Sequence, residues 1–290
     1  MSAPAVSLVI ATRDRAADLR SRLPMLLALS PRLAWELIVV DNGSSDETPQ
    51  VLQSIASPRL RAVREPRRGK SRALNRGLSL AKGELVVFSD DDVDPAPGWL
   101  EALAGAAAKH PEADVFGGKI AVDRSKVPAW IVRSRNLQEI LTTEHDFGEV
   151  EQRYPANRFP QGPNLAVRRR ALETVSQPWA EDLGPGTAIP VGDEKCFFCR
   201  LGQGGGRPRV YVPSAVVRHH PPAANFRLGR ALRRCYWGGY SGALVNARHP
   251  EALEPGPRVS VAAALAGTRS VPELLCAAIR AFGYWRGRKG

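Results

Sequence analysis

Short apolar runs alternate with amphipathic stretches through roughly the first third of the chain. Val6 to Ala11 reads as a strand, and Ala16 to Ser30 repeats its apolar positions at helical spacing. Trp35 to Val40 is a second strand. The segment Asp46-Glu47-Thr48-Pro49 opens a helix, because a first turn tolerates proline's missing N–H. Leu60 to Arg64 is a short strand, Ser71 to Ala81 a helix, and Leu85 to Phe88 a buried strand. Trp99 to His110 is an alanine-rich helix stopped by Pro111. This alternation predicts an α/β fold: a mostly parallel, doubly wound sheet flanked by helices.

From Val115 the order loosens. Stretches rich in proline and glycine, Pro155 to Pro163 and Pro178 to Gly192, read as loops, where binding groups concentrate. Glu194 to Leu201 reads as a helix, Gly202 to Gly206 as a flexible turn, and Val210 to Val212 and Ala215 to Val217 as two short strands. Arg227 to Asn246 reads as a helix broken at Gly238-Gly239. The tail from Ser260 fits a docking helix pair or a membrane-surface element. The expected organisation is a catalytic domain over residues 1–225 and a basic helical C-terminal extension over 226–290, with no internal repeat.

Composition adds one asymmetry. The chain has 290 residues, 43% of them hydrophobic, and a formal net charge of +12. From Arg200 onward there are 15 Lys/Arg and 3 Asp/Glu, so the whole surplus lies in the last third. An anionic partner follows as one reading: a phospholipid surface, a pyrophosphate-bearing acceptor or nucleic acid. The other is an arginine-rich composition with no partner. No apolar stretch reaches membrane-spanning length, and Val6 to Ile10 lacks a basic segment before it, so no signal peptide is expected. A cytoplasmic location with reduced thiols is the corresponding expectation. Cys196 and Cys199 have a Cys-x-x-Cys spacing but lie on a helix with Phe197 and Phe198, and are read as core.

The chemistry concentrates at strand ends. Asp90, Asp91 and Asp92 follow the strand Leu85 to Phe88 directly, and open α/β sheets bind their ligands at that edge. Three adjacent carboxylates need a cation or donors to offset their repulsion, and hard divalent ions such as Mg²⁺ or Mn²⁺ take oxygen ligands and bridge phosphates. Asp41 ends the second strand in the same way and suits a base N–H or a sugar hydroxyl. Ser44 to Asp46 are read as caps. Lys70 and Arg72, near a helix start, suit diphosphate contact.

Together these segments resemble the family 2 glycosyltransferases of GT-A fold. The resemblance runs through Ser7-Leu8-Val9-Ile10-Ala11-Thr12-Arg13-Asp14-Arg15, Glu36 to Asp46, Ala73-Leu74-Asn75-Arg76-Gly77, Gly83 to Asp92 and Gly98-Trp99-Leu100. It continues through Gly162-Pro163-Asn164 to Arg169, then Gly192-Asp193-Glu194 with Arg200-Leu201 and Gly204, covering about residues 6–240 in order. It implies a nucleotide-sugar site formed by Thr12, Arg15, Asp41, Lys70, Arg72, Asn75, Asp90 and Asp91, with Trp99 and Asn164 on the acceptor side. Asp90 and Asp92 form an Asp-x-Asp pair for metal and diphosphate, and Val217-Arg218-His219 offers His219 as a further metal ligand or as a pyrophosphate donor. Arg233, Arg234, Trp237 and Gly239 resemble, more loosely, a helix near the donor phosphates. Two departures stand out: Ala11 and Arg13 replace a proline and a tyrosine, and the base motif reads Asp193-Glu194 rather than Glu-Asp. Counting back from Arg200 makes Glu194 the base, with Asp193 the alternative.

The resemblance thus implies an inverting, metal-dependent enzyme that moves a sugar from a nucleotide-diphosphate donor, UDP-linked by expectation, to a saccharide or lipid-linked acceptor. Its setting would be polysaccharide or glycolipid synthesis, peripheral on the cytosolic membrane face, with no nucleic-acid partner. A carboxylate must take the hydroxyl's proton, and a cation must offset charge on the leaving diphosphate. A sugar nucleotidyltransferase shares the sheet topology, yet Thr12-Arg13-Asp14-Arg15 is not the glycine-rich loop that class places after its first strand. A non-catalytic nucleotide-sugar-binding protein would not need Asp41, Asp90, Asp92 and Glu194 together.

Overall fold

A computed structural model describes residues 4–30, 32–155, 158–202, 208–250 and 270–288. Its first half follows the alternation: β1 (Val6–Thr12), α1 (Ala16–Leu27), β2 (Trp35–Asp41), α2 (Thr48–Ser54), β3 (Leu60–Arg64), α3 (Lys70–Leu78), β4 (Leu85–Ser89), β5 (Val93–Pro95) and α4 (Trp99–Lys109). Then come β6 (Val115–Val122), α5 (Ala129–Val132), α6 (Arg135–Thr142), β7 (Gln152–Arg153), β8 (Leu165–Arg168), α7 (Arg169–Leu172), α8 (Asp193–Arg200), β9 (Arg209–His219), α9 (Leu228–Arg248) and α10 (Val271–Gly287).

The sheet order is β3-β2-β1-β4-β8-β6-β9-β5, with β7 added on β9. The first four strands are parallel, as the alternation requires; β8 then runs antiparallel to both β4 and β6, so the whole sheet is mixed. Alternating strand residues face two layers. Leu8, Ile10, Leu37, Val39 and Val87 pack against α1, α2 and α4. Val9, Ile38, Val40, Val86 and Phe88 pack against Ala73 and Leu74 of α3 and against Phe197 and Phe198 of α8. A third cluster joins α5 and α6 to Ala231 and Cys235 of α9 and Cys276 of α10.

Two expectations are corrected. Val210 to Val212 and Ala215 to Val217 belong to one strand, β9, whose pairing with β6 jumps from Gly118↔Val212 to Lys119↔Val216. Pro213, which has no N–H for the ladder, falls inside that bulge and makes one strand look like two. The helix α9 also continues through Gly238-Gly239. A Cβ on Gly239 would stand 1.9 Å from the Arg280 carbonyl oxygen, and one on Gly283 2.1 Å from that of Tyr236. These glycines therefore let α9 and α10 touch backbone to backbone, and that packing outweighs the glycine penalty of order 1 kcal/mol in each helix. Cys196 and Cys199 are buried free thiols, Cys196 within 3.6 Å of His249 Nε2. Most of the expected turn at Gly202 to Gly206, including Gly204, and the tail from Ser260 to Arg269 lie outside the described residues.

Candidate active site

The register sets the site. Thr12, the last residue of β1, lies opposite Asp41, the last of β2, while β4 runs alongside β1 and delivers the acidic triplet to the same edge. Thr12 Oγ1 donates to Asp91 Oδ2 at 2.6 Å, closing the line Asp41–Thr12–Asp91 across three strands. Arg15, just before α1, reaches both neighbours: 3.7 Å to Asp91 Oδ1 and 3.6 Å to Asp92 Oδ2. Burial dominates at Asp91 and pushes its carboxyl up to about 6 despite the Thr12 bond.

Two buried carboxylate oxygens at this edge lack a hydrogen-bond partner. Asp41 spends Oδ1 on the Ser44 N–H at 2.9 Å, leaving Oδ2 without a bond and 3.8 Å from Arg64 Nε. Asp92 Oδ1 is the other, 3.5 Å from His219 Nε2. His219 Nδ1 lies 2.7 Å from the Thr142 carbonyl, which only accepts, so Nδ1 carries the proton and Nε2 faces Asp92. Burial opposes charge on both partners, yet each holds the other charged: His219 is raised and Asp92 lowered. One carboxylate and one imidazole, the latter oriented by the Thr142 carbonyl, are the residue types that could hold a divalent cation together with phosphate oxygens and water. Among the described residues no group of three or more His, Cys, Asp or Glu side chains is placed to hold a metal ion.

Lys70, at the start of α3, pairs with Asp90. Burial disfavours its charge, but Asp90, Asp193 and Glu194 outweigh that and raise its pKa. Arg72 lies 3.4 Å from Glu181 of the loop after Trp179. Asn75 holds that loop's start: its Nδ2 donates to the Trp179 carbonyl at 2.9 Å and its Oδ1 accepts the Trp179 N–H at 3.1 Å. The amide expected to meet the donor thus also positions a loop.

Trp99 and Asn164, expected on the acceptor side, lie under the edge. Both are 0% exposed. Trp99 Nε1 donates to Asn164 Oδ1 at 2.9 Å, and Asn164 Nδ2 donates to the Lys119 and Ala215 carbonyls at 3.0 and 2.8 Å. This closed set joins α4, β6 and β9 beneath the segment Gly162–Asn164, whose Pro163 carbonyl accepts from Ser89 Oγ at the end of β4.

That segment receives the base candidate. Glu194, in the first turn of α8, accepts the Gly162 N–H through Oε1 at 2.9 Å, and a Cβ on Gly162 would stand 2.5 Å from that oxygen. Only glycine allows the approach. Burial first, then the Asp193 charge, pushes Glu194 up to about 7, against Lys70 and the Gly162 bond. Asp193 is raised too, chiefly by burial; it is 8% exposed, with Oδ2 packed where a Gly184 Cβ would be.

Sequence reading missed Asn42. Its Nδ2 donates to the Glu65 and Arg67 carbonyls and its Oδ1 accepts the Gly69 N–H, so it shapes the turn that presents Lys70. The run Asp41-Asn42-Gly43 carried that signal only as a turn. The loosely matched Arg234 donates to the Ile140 carbonyl, tying α9 to α6.

A sheet of this topology, with acids converging on its carboxyl edge, defines a GT-A-like α/β fold. Residues 7–176 match the profile of Glycosyl transferase family 2, and the chain belongs to that family. It is 24% identical over 227 residues to the glucosyl-dolichyl phosphate glucuronosyltransferase of Haloferax volcanii, covering 76% of this chain and 70% of that protein. It is 28% identical over 255 residues to the pre-mycofactocin glycosyltransferase of Mycobacterium tuberculosis, covering 86% of this chain but only 49% of that one, about half its length. In structure it is similar to the mannosyltransferase PcManGT from Pyrobaculum calidifontis in complex with GDP-Man and Mn2+, with a TM-score of 0.59 at 21% identity over all of this chain and 84% of that one. That likeness speaks to the fold.

Proposed function

We propose that this family 2 glycosyltransferase transfers a sugar with inversion from a nucleoside diphosphate sugar to an acceptor hydroxyl. The observation that carries the reading is the pair of unpartnered buried acceptors, Asp41 Oδ2 and Asp92 Oδ1, on the edge that Glu194 reaches through Gly162. Leaving a buried carboxylate oxygen unbonded costs on the order of 1–3 kcal/mol, so both are set for a ligand.

Asp41 Oδ2 accepts a base N–H, with the uracil imide of a UDP-sugar as first choice. Arg15 and Lys70 lie beside the acidic triplet to meet the diphosphate. A divalent cation, Mn²⁺ or Mg²⁺, held by Asp92 and His219 would offset the charge on the departing nucleoside diphosphate. Glu194, with a pKa near neutrality, takes the acceptor's proton as its oxygen attacks the anomeric carbon; Asp193 keeps that pKa high. One base and one attack give a single displacement, hence inversion. The acceptor is a saccharide or lipid-linked glycan, handled at the cytosolic face of a membrane. The Haloferax volcanii relative is named for glucosyl-dolichyl phosphate, a lipid-linked sugar, which supports that class.

A panel of nucleotide sugars with Mn²⁺ tests the reading. Slow release of the nucleoside diphosphate from one donor, with water as acceptor, is the expected result. Release of pyrophosphate would favour a nucleotidyltransferase, and tight binding without turnover a binding protein.

A further inference from the structure

We propose that the outward face of α10 is a docking surface for an anionic phospholipid bilayer. Cys276, Gly283 and Gly287 are buried and turn one side of α10 onto α9. The outward side carries Val271, Leu274, Leu275, Phe282 and Trp285 at helical spacing, exposed by 70%, 42%, 42%, 49% and 48%, with Phe282 at its margin, its ring centroid 6.1 Å from that of Tyr236 on α9. Single exposed apolar residues need no explanation, but a continuous stripe along four turns does. Phe282 and Trp285 stack with ring centroids 5.9 Å apart.

Charge complementarity selects the occupant. The one acid of α10, Glu273, lies off the stripe and is bonded to Ser134. Arg286 and Arg288, both exposed, stand at the stripe's C-terminal end, in the third of the chain that holds the whole +12 surplus. An apolar face with aromatic residues and guanidinium groups at its edge is the pattern of a helix lying in a headgroup layer. Each arginine near an anionic surface is worth about a fivefold change in binding. A second copy is a poorer fit: a helix of 17 residues is about 25 Å long. A stripe about 10 Å wide then offers roughly 250 Å², against about 800 Å² per partner in a stable interface.

The surface is coupled to the site. Beside α10, α9 also touches α8, where Lys195 Nζ donates to Asn246 Oδ1 at 2.5 Å and Ser241 packs on Gly192. A docked α10 therefore holds the helix carrying Glu194 near the lipid surface. This deepens the membrane setting proposed above and does not depend on the chemistry assigned to Glu194.

Co-sedimentation with phosphatidylcholine vesicles, with and without phosphatidylglycerol, tests it, using the full chain and the double variant Phe282→Ser/Trp285→Ser. The expected result is binding to the anionic vesicles that falls with salt and drops about tenfold or more in the variant. Phe282 also meets Tyr236 of α9, so the melting temperature is followed, and the exposed pair Leu274→Ser/Leu275→Ser, expected to lose vesicle binding in the same way, repeats the test; lipid-free release of nucleoside diphosphate should stay unchanged in both variants. Equal binding of both proteins, or binding of neither, would overturn the proposal. A wild-type dimer that the variant abolishes, with no vesicle binding, would assign the face to a second copy and overturn it equally. Loss of donor turnover in both proteins would strike the catalytic reading alone.

Discussion

Replacing Glu194 by glutamine separates the two candidate bases. The amide keeps the side chain's shape, and its oxygen can still accept the Gly162 N–H at 2.9 Å, so the segment Gly162–Asn164 should stay in place. What disappears is a proton acceptor whose pKa burial and Asp193 raise to about 7. General base catalysis contributes about 10²–10⁴ in rate, or roughly 3–5 kcal/mol, and that loss is expected in the release of nucleoside diphosphate at saturating donor. In the unaltered enzyme the rate should climb through pH 7 and flatten above it; in Glu194→Gln the rise should vanish. Asp193→Asn should keep most activity but move the rise to lower pH, because a like charge beside Glu194 is gone. Stability should move the opposite way to activity. A carboxylate with a raised folded-state pKa costs nothing below its ordinary value of 4.5 and its full penalty above about 7. The rise bounds that penalty at about 3 kcal/mol, and partial solvent access lowers it to roughly half. Glu194→Gln should thus melt higher than the unaltered protein at pH 8 and equally at pH 4. An inactive Asp193→Asn beside an active Glu194→Gln would refute the assignment and transfer the base to Asp193.

Asp41→Asn turns an unpartnered acceptor into an amide that presents N–H as readily as oxygen; nucleotide affinity by calorimetry should fall about 10–100-fold, the equivalent of 1–3 kcal/mol. An unchanged affinity for every nucleotide diphosphate would remove the base contact. Asp92→Asn or His219→Gln should abolish the extra thermal stabilisation that Mn²⁺ adds to a bound nucleoside diphosphate while leaving nucleotide binding without metal nearly intact. Full retention of that metal effect in both variants would place the cation elsewhere. Gly239→Ala puts a methyl group against the Arg280 carbonyl and should destabilise the α9–α10 contact by about 1–3 kcal/mol. Hydrogen exchange in α10 would then quicken more than in β1 or β4, and equal rates would show that the two helices do not depend on that crossing.

What the sequence determined by itself was local and periodic. Apolar runs placed β1, β2 and β4, which are buried on both faces, the alternation of Leu60 to Arg64 placed the exposed edge strand β3, and the amphipathic helices between them left their own one-dimensional trace. The same pattern put Asp41 and the triplet Asp90 to Asp92 at strand ends, hence on one edge. Tertiary structure decided what depends on partners distant along the chain. The polar atoms of Asn75, Trp99 and Asn164 join distant segments, Asn75 to Trp179, Trp99 to Asn164, and Asn164 to Lys119 and Ala215, and such pairings leave no trace in local order. Gly238-Gly239 looked like a break because glycine weakens an isolated helix, and only the close passage of α10 shows why α9 runs through it. Only the fold shows that Oδ2 of Asp41 and Oδ1 of Asp92 are buried without a hydrogen-bond partner, since satisfaction of a polar atom is a property of its surroundings in space.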